Sequence, residues 1–560
     1  MQIRIQQLNV IVGDIGGNTD AILKALREAE AGGVDLLVLP ELVVCGYPPM
    51  DLVERRAFLK AVFDCNERII RATGKTALLF GTIRPNTTSS GRPVFNAALL
   101  AHQGNLVDEI HKTLLPTYDV FDEFRYFEPN RSVHVTEWAG RKWGVTICED
   151  IWNNQNEYNY HSYDKEPAAE LKAAGAEILV NISASPFTRS KPELRDAMLS
   201  RHASRLDMPL IYCNQVGANT ELIFDGAGSV IDSSGNRIAK LATLQEDYAD
   251  VRWEERNPVS VPGAGITVKP VPGPEERLFQ ALVLGLRDYV GKSGMPGRVV
   301  LGLSGGIDSA LTAAIAAEAL GAENVLGVTM PSRYSSTGSV SDSELLAENL
   351  GITLHELPIR DIYDQFLKTL APVFGDTPFG VAEENLQSRS RGAILMGISN
   401  KFGHMLLNTG NKSELAVGYC TLYGDMAGGL SVLSDVYKTE VYAISRWLNR
   451  SFYGREVIPG STIEKPPSAE LRPDQKDTDS LPGYDVLDAV LKAYIEQQLP
   501  AEEIVAAGHP PEVVREVIRL VDRNEYKRRQ AAPGLRVSSK AFGSGRRLPI
   551  VQRWTEMKQD

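Results

Sequence analysis

Three side chains with reactive chemistry stand at or near the ends of apolar runs in the first half of the chain. Glu41 follows residues 34–40, Lys112 lies within Glu109-Ile110-His111-Lys112-Thr113, and Cys148 follows residues 143–147. Such runs read as strands, and strand ends on one edge of a sheet converge in space. A thiol becomes a nucleophile when a neighbouring base and a cation favour the thiolate, which Glu41 and Lys112 could supply. Taken singly, each also has a plainer reading: Glu41 as a surface acid, Lys112 as a solvated cation, Cys148 as a small buried hydrophobe. The second half carries Ser304-Gly305-Gly306-Ile307-Asp308-Ser309 between an apolar run, residues 299–303, and an alanine-rich stretch. Paired glycines let backbone N–H groups turn toward an anion, and a helix starting at 308–310 adds its positive end. The loop lacks the G-K-[ST] ending of a Walker A sequence, so the usual NTPase reading fails.

The elements that must position these residues alternate. In the first half Asn18 can cap a helix whose Ile22, Leu26 and Ala29 share a face, and Gly32-Gly33 end it before a strand at 34–39. Further strands are expected at 77–81, 97–100, 143–147, 177–182 and 209–214. In the second half strands at 299–303 and 325–329 flank a helix at 310–320, a βαβ spacing that implies a parallel sheet with its ligand site at the strand carboxyl ends. Between Trp253 and Arg277 stand five prolines (Pro258, Pro262, Pro270, Pro272, Pro274) with Gly263, Gly265 and Gly273. That composition suits neither helix nor central strand. The expected division is a first domain at 1–258, a linker at 259–274 and a second domain at 275–560. Residues 459–483, rich in proline and charge, read as a long mobile loop.

The chain has 560 residues, 43% apolar and 23% charged, with net charge −12. An acidic balance argues against a general nucleic-acid binder, which needs a basic surface. One local exception is 523–547, where Arg523, Lys527, Arg528, Arg529, Arg536, Lys540, Arg546 and Arg547 face one acid, Glu525. This patch could bind a phosphorylated metabolite, could bind RNA weakly, or could be a solvated tail. Five cysteines (45, 65, 148, 213 and 420) form no regular framework, which points to free thiols in a reducing cytoplasm. No apolar run approaches 18 residues, so membrane insertion is not expected.

Leu39-Pro40-Glu41-Leu42, His111-Lys112-Thr113-Leu114-Leu115-Pro116 and Ile147-Cys148-Glu149-Asp150-Ile151-Trp152 resemble, in order, the three signatures of the nitrilase (carbon–nitrogen hydrolase) superfamily. The likeness covers roughly residues 1–250. It implies an α-β-β-α sandwich in which Cys148 attacks an amide carbonyl and Glu41 is the general base. Lys112 and the N–H of Glu149 would stabilise the oxyanion, with Glu123 as a second, orienting carboxylate. Asn181-Ile182-Ser183-Ala184-Ser185-Pro186-Phe187 looks like that superfamily's substrate-side loop. Ser304–Ser309 resembles the loop of the ATP pyrophosphatases, whose domain is a parallel-sheet α/β fold of the adenine nucleotide α-hydrolase kind.

The two together, with Met330-Pro331-Ser332-Arg333, Glu384-Asn385-Leu386-Gln387-Ser388-Arg389-Ser390-Arg391, Asn408-Thr409-Gly410-Asn411-Lys412-Ser413-Glu414 and Ser434-Asp435-Val436-Tyr437-Lys438, resemble the glutamine-dependent NAD synthetases over nearly the whole α/β chain. That family makes NAD, AMP, pyrophosphate and glutamate from deamido-NAD, ATP and glutamine, the last step of NAD biosynthesis. Carried over by position, Tyr118, Ser185 and Lys191 would hold glutamine. Gly302, Leu303, Ser304, Gly305, Gly306, Ile307, Asp308, Ser309, Arg333, Thr409 and Lys438 would bind ATP. Asn385, Glu414, Tyr419 and Lys527 would contact deamido-NAD, and Asp308 with Glu414 would meet Mg²⁺. The resemblance further implies a cytoplasmic homo-oligomer, a dimer of synthetase domains or larger, with no nucleic-acid or membrane partner. Three rivals remain: a ligase with the same half-reactions but another acceptor, a nucleotide-binding regulator with a decayed amidase, and, from the basic tail, an RNA-binding module.

Overall fold

A computed structural model describes residues 1–152, 163–255, 257–260, 268–473, 475–554 and 556. The chain forms two compact units, Met1–Pro272 and Gly273–Asp560. Pro262, Gly263 and Gly265 of the expected linker lie outside the described residues.

The first unit is built on two sheets. One has seven strands in the order Asn257–Ser260, Asp247–Glu254, Gln2–Gln7, Leu36–Val38, Ala77–Pro85, Val94–His102, Asn105–His111. The other has six, in the order Arg237–Lys240, Ser229–Ile231, Leu210–Asn214, Ile178–Ser183, Arg141–Ile147, Thr136–Trp138. Period-two alternation explains their stacking. Leu36, Val38, Ala77 and Leu79 point to a core shared with Val145, Ile147, Val180, Ile182 and Ile211 of the second sheet. Leu37, Leu39, Leu78 and Phe80 point the other way, onto Ile22, Leu26, Ile69 and Ile70 of the helices Ile15–Ala31 and Arg56–Ala72. On the far side, Leu179, Leu210 and Tyr212 pack against Leu171 and Leu199 of two further helices, Pro167–Ala173 and Lys191–Arg205. The layers are therefore α-β-β-α.

The first helix starts earlier than its sequence suggests. Asp14, not Asn18, is the cap, its carboxylate accepting from Gly17 N at 3.0 Å. Asn18 sits inside the first turn and bonds both polar groups of Ile11, accepting from its N at 3.0 Å and donating to its O at 2.8 Å. A short polar side chain favours either role, and periodicity alone does not choose between them.

In the second unit five parallel strands run in the order Thr353–Glu356, Val325–Thr329, Val299–Gly302, Met405–Asn408, Leu430–Ser431. The order reverses direction between Val299–Gly302 and Met405–Asn408, which makes their carboxyl ends a switch-point crevice. The helix after the glycine loop spans Ile307–Leu320, one residue earlier than the earliest start expected, with Gly306 as its cap. The stretch 459–483 is not a free loop. It contains the helix Gly460–Glu464, and Gln387 Nε2 donates to Leu471 O at 2.8 Å while Glu470 accepts from Ser336 and Ser339. Among the described residues no helix is long and apolar enough to cross a membrane.

Candidate active sites

Glu41, Lys112 and Cys148 converge at one end of the two stacked sheets. Lys112 Nζ lies 2.8 Å from Glu41 Oε1 and 2.8 Å from Glu123 Oε1, with both the Lys112 and Glu41 side chains wholly buried. Gly81, on Ala77–Pro85, lets that strand pass against the Glu41 turn: a Cβ there would lie 2.4 Å from Leu42 N and 2.5 Å from Glu41 Cα. Glu41 is held at both oxygens, Oε1 by Lys112 and by Asn96 Nδ2 at 2.7 Å, and Oε2 by Ala184 N at 2.7 Å. Cys148 opens a 3-10 turn directly after Arg141–Ile147 and has φ 45°, a left-handed conformation costly for a non-glycine residue. Asp150 ties this turn to the Lys112 segment, accepting from Ile147 N at 3.0 Å, Thr113 N at 3.0 Å and Leu114 N at 2.7 Å.

Burial sets the protonation states. It pushes the Cys148 thiol well above its ordinary pKa, with Glu41 adding to the rise and Lys112 opposing it. At rest the sulfur is therefore a thiol, and reaction requires a base that takes its proton. Burial also works to lower the Lys112 pKa, but Glu123 and Glu41 outweigh it and raise it well above normal, so the ammonium is permanent. Glu123 is pushed up to about 7, by burial first and then by Glu41, against the pull of Lys112. Tyr47 OH donates to its Oε1 at 2.9 Å.

Of the residues expected to hold glutamine, Tyr118 and Lys191 converge on Glu149. Tyr118 OH donates to the Glu149 carboxylate at 3.0 and 3.1 Å, as does Tyr163 OH at 3.1 Å, and the Lys191 charge acts on the same carboxylate. Lys191 Nζ stands 5.0 Å above the Trp152 ring. Ser185 is fixed separately: its N donates to Asn214 Oδ1 at 2.8 Å, and its buried hydroxyl has no hydrogen-bond partner among the described residues. Asn181, on the expected substrate-side loop, donates to Thr146 Oγ1 at 3.0 Å and to Cys148 O at 3.4 Å.

At the switch point of the second unit is a cavity of about 310 Å³ lined by Gly302, Leu303, Ser304, Gly306, Ile307, Asp308, Thr409, Glu414, Tyr419 and Lys438. A smaller one of about 130 Å³ shares Ser304, Asp308, Thr409, Glu414 and Tyr419 and adds Ser309. Gly305 has φ +73°, and a Cβ there would lie 2.4 Å from Ser339 O, so only glycine fits. Ser304 and Ser309 brace the loop: Gly306 N donates to Ser304 Oγ at 3.2 Å, and Ser309 Oγ donates to Gly306 O at 2.9 Å. The first-turn N–H groups of Ile307–Leu320 have no intrahelical partners, the arrangement that suits a helix N-terminus to an anion.

Asp308 and Glu414 share one buried ammonium. Lys438 Nζ is 2.5 Å from Asp308 Oδ2 and 3.1 Å from Glu414 Oε1, and Asn411 Nδ2 donates to Asp308 Oδ1 at 2.8 Å. Burial pushes Glu414 up to about 7, against the pull of Lys438. With Glu414 ionised, two carboxylates against one ammonium leave an excess negative charge and spare oxygen lone pairs, a donor set that fits a hard cation completed by phosphate oxygens. Lys438, expected as a phosphate partner, is thus committed to carboxylates.

Other expected site residues lie elsewhere. Arg333 pairs with Asp364 and does not line the larger cavity. Asn385 Oδ1 accepts from Thr421 Oγ1 at 2.7 Å, and Lys527 Nζ donates to Gly418 O at 2.7 Å and Cys420 O at 2.8 Å, so both brace residues 418–421. The basic stretch is knitted into the fold: Arg528 bonds Glu525, and Arg546 bonds Asp522 and Glu525. Sequence reasoning missed Asn96, Gly81 and Asp477; Asp477 lines the larger cavity, accepts from Tyr484 OH at 2.9 Å, and has a buried Oδ1 with no hydrogen-bond partner among the described residues. None carries a motif of its own, since each matters only through what folding brings beside it.

Comparison with known proteins matches residues 2–255 to the carbon-nitrogen hydrolase family and residues 278–531 to the NAD synthase family. The glutamine-dependent NAD(+) synthetase of Synechocystis sp. is 48% identical over 554 residues, covering 98% of each chain. That of Thermotoga maritima is 43% identical, covering 99% of each. The solved structure of the glutamine-dependent NAD+ synthetase from Acinetobacter baumannii, in complex with adenosine diphosphate, superposes with a TM-score of 0.77 at 40% identity, covering 100% of this chain and 99% of that one.

Proposed function

The chain belongs to the glutamine-dependent NAD(+) synthetases and carries their activity, and from that premise we propose how its residues divide the reaction between two sites. In the first domain, residues 1–258 by the sequence reading, glutamine is held by Tyr118, Ser185 and Lys191. Glu41 takes the Cys148 proton as Sγ attacks the side-chain amide carbon, while Lys112 and the N–H of Glu149 stabilise the oxyanion. The carbon–nitrogen bond breaks, Glu41 returns the proton to the leaving nitrogen, and water hydrolyses the thioester to glutamate. Glu123 keeps Lys112 aimed between the two carboxylates.

In the second domain, 275–560, the Ser304–Ser309 loop and Thr409 hold ATP, and Asn385, Glu414, Tyr419 and Lys527 shape the site for deamido-NAD. Asp308 and Glu414 would hold Mg²⁺, which when bound supplies positive charge to the phosphate oxygens. The nicotinate carboxylate attacks the α-phosphorus of ATP and pyrophosphate leaves. Ammonia then attacks the acyl carbon, AMP leaves, one proton is lost, and NAD results. Supporting a nucleotide here is the adenosine diphosphate in the Acinetobacter baumannii relative. The five free cysteines support a reducing, cytoplasmic setting. Exposed Ile362, Phe366, Val373, Val381 and Phe402 on Arg360–Phe374 and Val381–Phe402 support a homo-oligomer.

The observation that carries this reading is the buried Lys112 bonded at once to Glu41 and Glu123 beside Cys148, in a chain that also holds the glycine-loop cavity. Mass spectrometry of the product from ATP, deamido-NAD and amide-labelled glutamine tests it. Labelled NAD is expected, and Cys148→Ala should incorporate nitrogen from ammonia but not from glutamine. Label transfer at the parent rate in that variant would remove Cys148 from catalysis, and a labelled product only from a different acceptor would favour the rival ligase.

A further inference from the structure

Three cationic side chains line the larger cavity of the second unit: Lys438, Lys465 and Arg391. Two are already neutralised by carboxylates. Lys438 holds Asp308 and Glu414, and Lys465 lies 3.1 Å from Asp342. Arg391, on Val381–Phe402, differs. Among the described residues its single hydrogen bond runs from Nε to Met330 O at 3.1 Å, and no carboxylate pairs with it. The two acids whose fields reach it are occupied elsewhere, Glu470 by Ser336 and Ser339, and Asp425 by Thr421 N. A guanidinium offers five N–H donors in a rigid planar fork, so four of them have no acceptor among the described residues, on a half-buried side chain at the cavity wall.

Burial lowers the Arg391 pKa to about 10, which leaves it charged at neutral pH. An unpaired charge in such a place is costly unless a ligand completes it. The match for a guanidinium fork is a pair of oxygens on one phosphorus.

Resting on the reading that this cavity takes nucleotides, we propose that Arg391 is a substrate-binding residue whose Nη atoms take the oxygens of a nucleotide phosphate. Among the described residues it is the one cation of the lining not paired with a carboxylate. The phosphate could be supplied by ATP or by deamido-NAD, and the two are separable by measurement.

The test uses the full chain with Arg391→Met, which keeps much of the volume without the charge, and Arg391→Lys, which keeps the charge without the fork. Calorimetric binding of Mg²⁺–ATP, the KM for ATP and for deamido-NAD with ammonia as nitrogen donor, and melting temperature are read for each. Loss of a shielded, charge-assisted bond is worth roughly a 10- to 100-fold rise in Kd or KM for one nucleotide in Arg391→Met. Arg391→Lys should recover part of it, with the KM for glutamine as control. A rise confined to ATP assigns the phosphate to ATP; one confined to deamido-NAD assigns it to the dinucleotide. Parent-like constants for both nucleotides would overturn the proposal. So would a uniform loss with a lowered melting temperature and no recovery in Arg391→Lys, which would mark Arg391 as a structural tie to Met330. A parent that binds Mg²⁺–ATP yet makes no NAD would sink the functional reading while leaving the ATP arm of this test intact.

Discussion

At the scale of single residues, the amidase site is a problem in keeping charges alive where water is absent. Lys112, Glu41 and Glu123 are all buried, and an isolated ion in such a place would neutralise itself. They persist because one ammonium faces two carboxylates and because Asn96 adds a second donor, 2.7 Å from Glu41 Oε1 and 3.4 Å from Glu123 Oε2. Asn96→Ala should therefore loosen both carboxylates at once. Bonds to charged groups contribute about 1.5–3 kcal/mol, so glutaminase kcat should fall roughly 10- to 150-fold with the KM for glutamine little changed; a rise in KM alone would assign Asn96 to glutamine binding instead. Glu123 makes a second prediction through pH. Its folded pKa, about 7, lies above the ordinary carboxylate value, so its contribution to stability is complete at low pH and is lost as pH rises through 7. Measured from pH 5 to 8, the melting temperature of Glu123→Gln should gain on the parent as pH rises. A constant difference across that range would show that Glu123 does not titrate there.

At the scale of elements, two glycines decide where the reactive groups can stand. Gly81 lies in a strand with ordinary extended dihedrals, and its absent side chain is what lets the Glu41 turn lie against it. Gly81→Ala would drive a Cβ into the backbone at Leu42 N and Glu41 Cα, and backbone cannot move aside as a flexible side chain can. Misplacing a catalytic group by about 1 Å costs on the order of 100-fold, so glutaminase should fall by about that factor while ammonia-dependent synthesis is retained. A parent-like glutaminase rate would show that the Glu41 turn tolerates displacement. Gly305 was readable in advance, because a glycine pair between a strand and a helix announces a turn toward an anion. Gly81 was not, since nothing around it marks a close approach until the fold brings Glu41 there. The same distinction runs through the rest of the chain. Strands such as Arg141–Ile147 and Ile178–Ser183 were legible as apolar runs, and Cys148 was legible by its place at the end of one. Asn18 and the stretch 459–483 were misread because local composition cannot show that Asn18 would bond Ile11, or that Glu470 would find Ser336 and Ser339. Arg391 was visible as part of the 384–391 motif, but its lack of a carboxylate partner among the described residues is a property of the fold alone.

At the scale of the molecule, the two half-reactions ask for opposed surroundings, which is a physical reason for two units. In the proposed reaction, thioester hydrolysis at Cys148 would need water, whereas an acyl adenylate must be kept from it until ammonia arrives. On the proposed division the charge balance differs accordingly: one ammonium between two carboxylates would serve a proton transfer in the first unit, and a similar arrangement in the second would leave negative charge for a cation to meet. Asp308→Asn should separate the two. It removes one of the two carboxylates held by Lys438, so the excess negative charge at Asp308 and Glu414 disappears and the oxygen set for Mg²⁺ is weakened. Synthesis should fall at least about 100-fold with either glutamine or ammonia, and pyrophosphate release should fall with it, because adenylation precedes amidation. The Mg²⁺ concentration for half-maximal residual activity should rise. Glutamine hydrolysis should continue, since the bonds Asp308 makes to Asn411 and Lys438 lie within the second unit. Pyrophosphate release at the parent rate and with the parent Mg²⁺ dependence would take Asp308 out of the phosphate site and leave Lys438 and Glu414 as a structural ion pair.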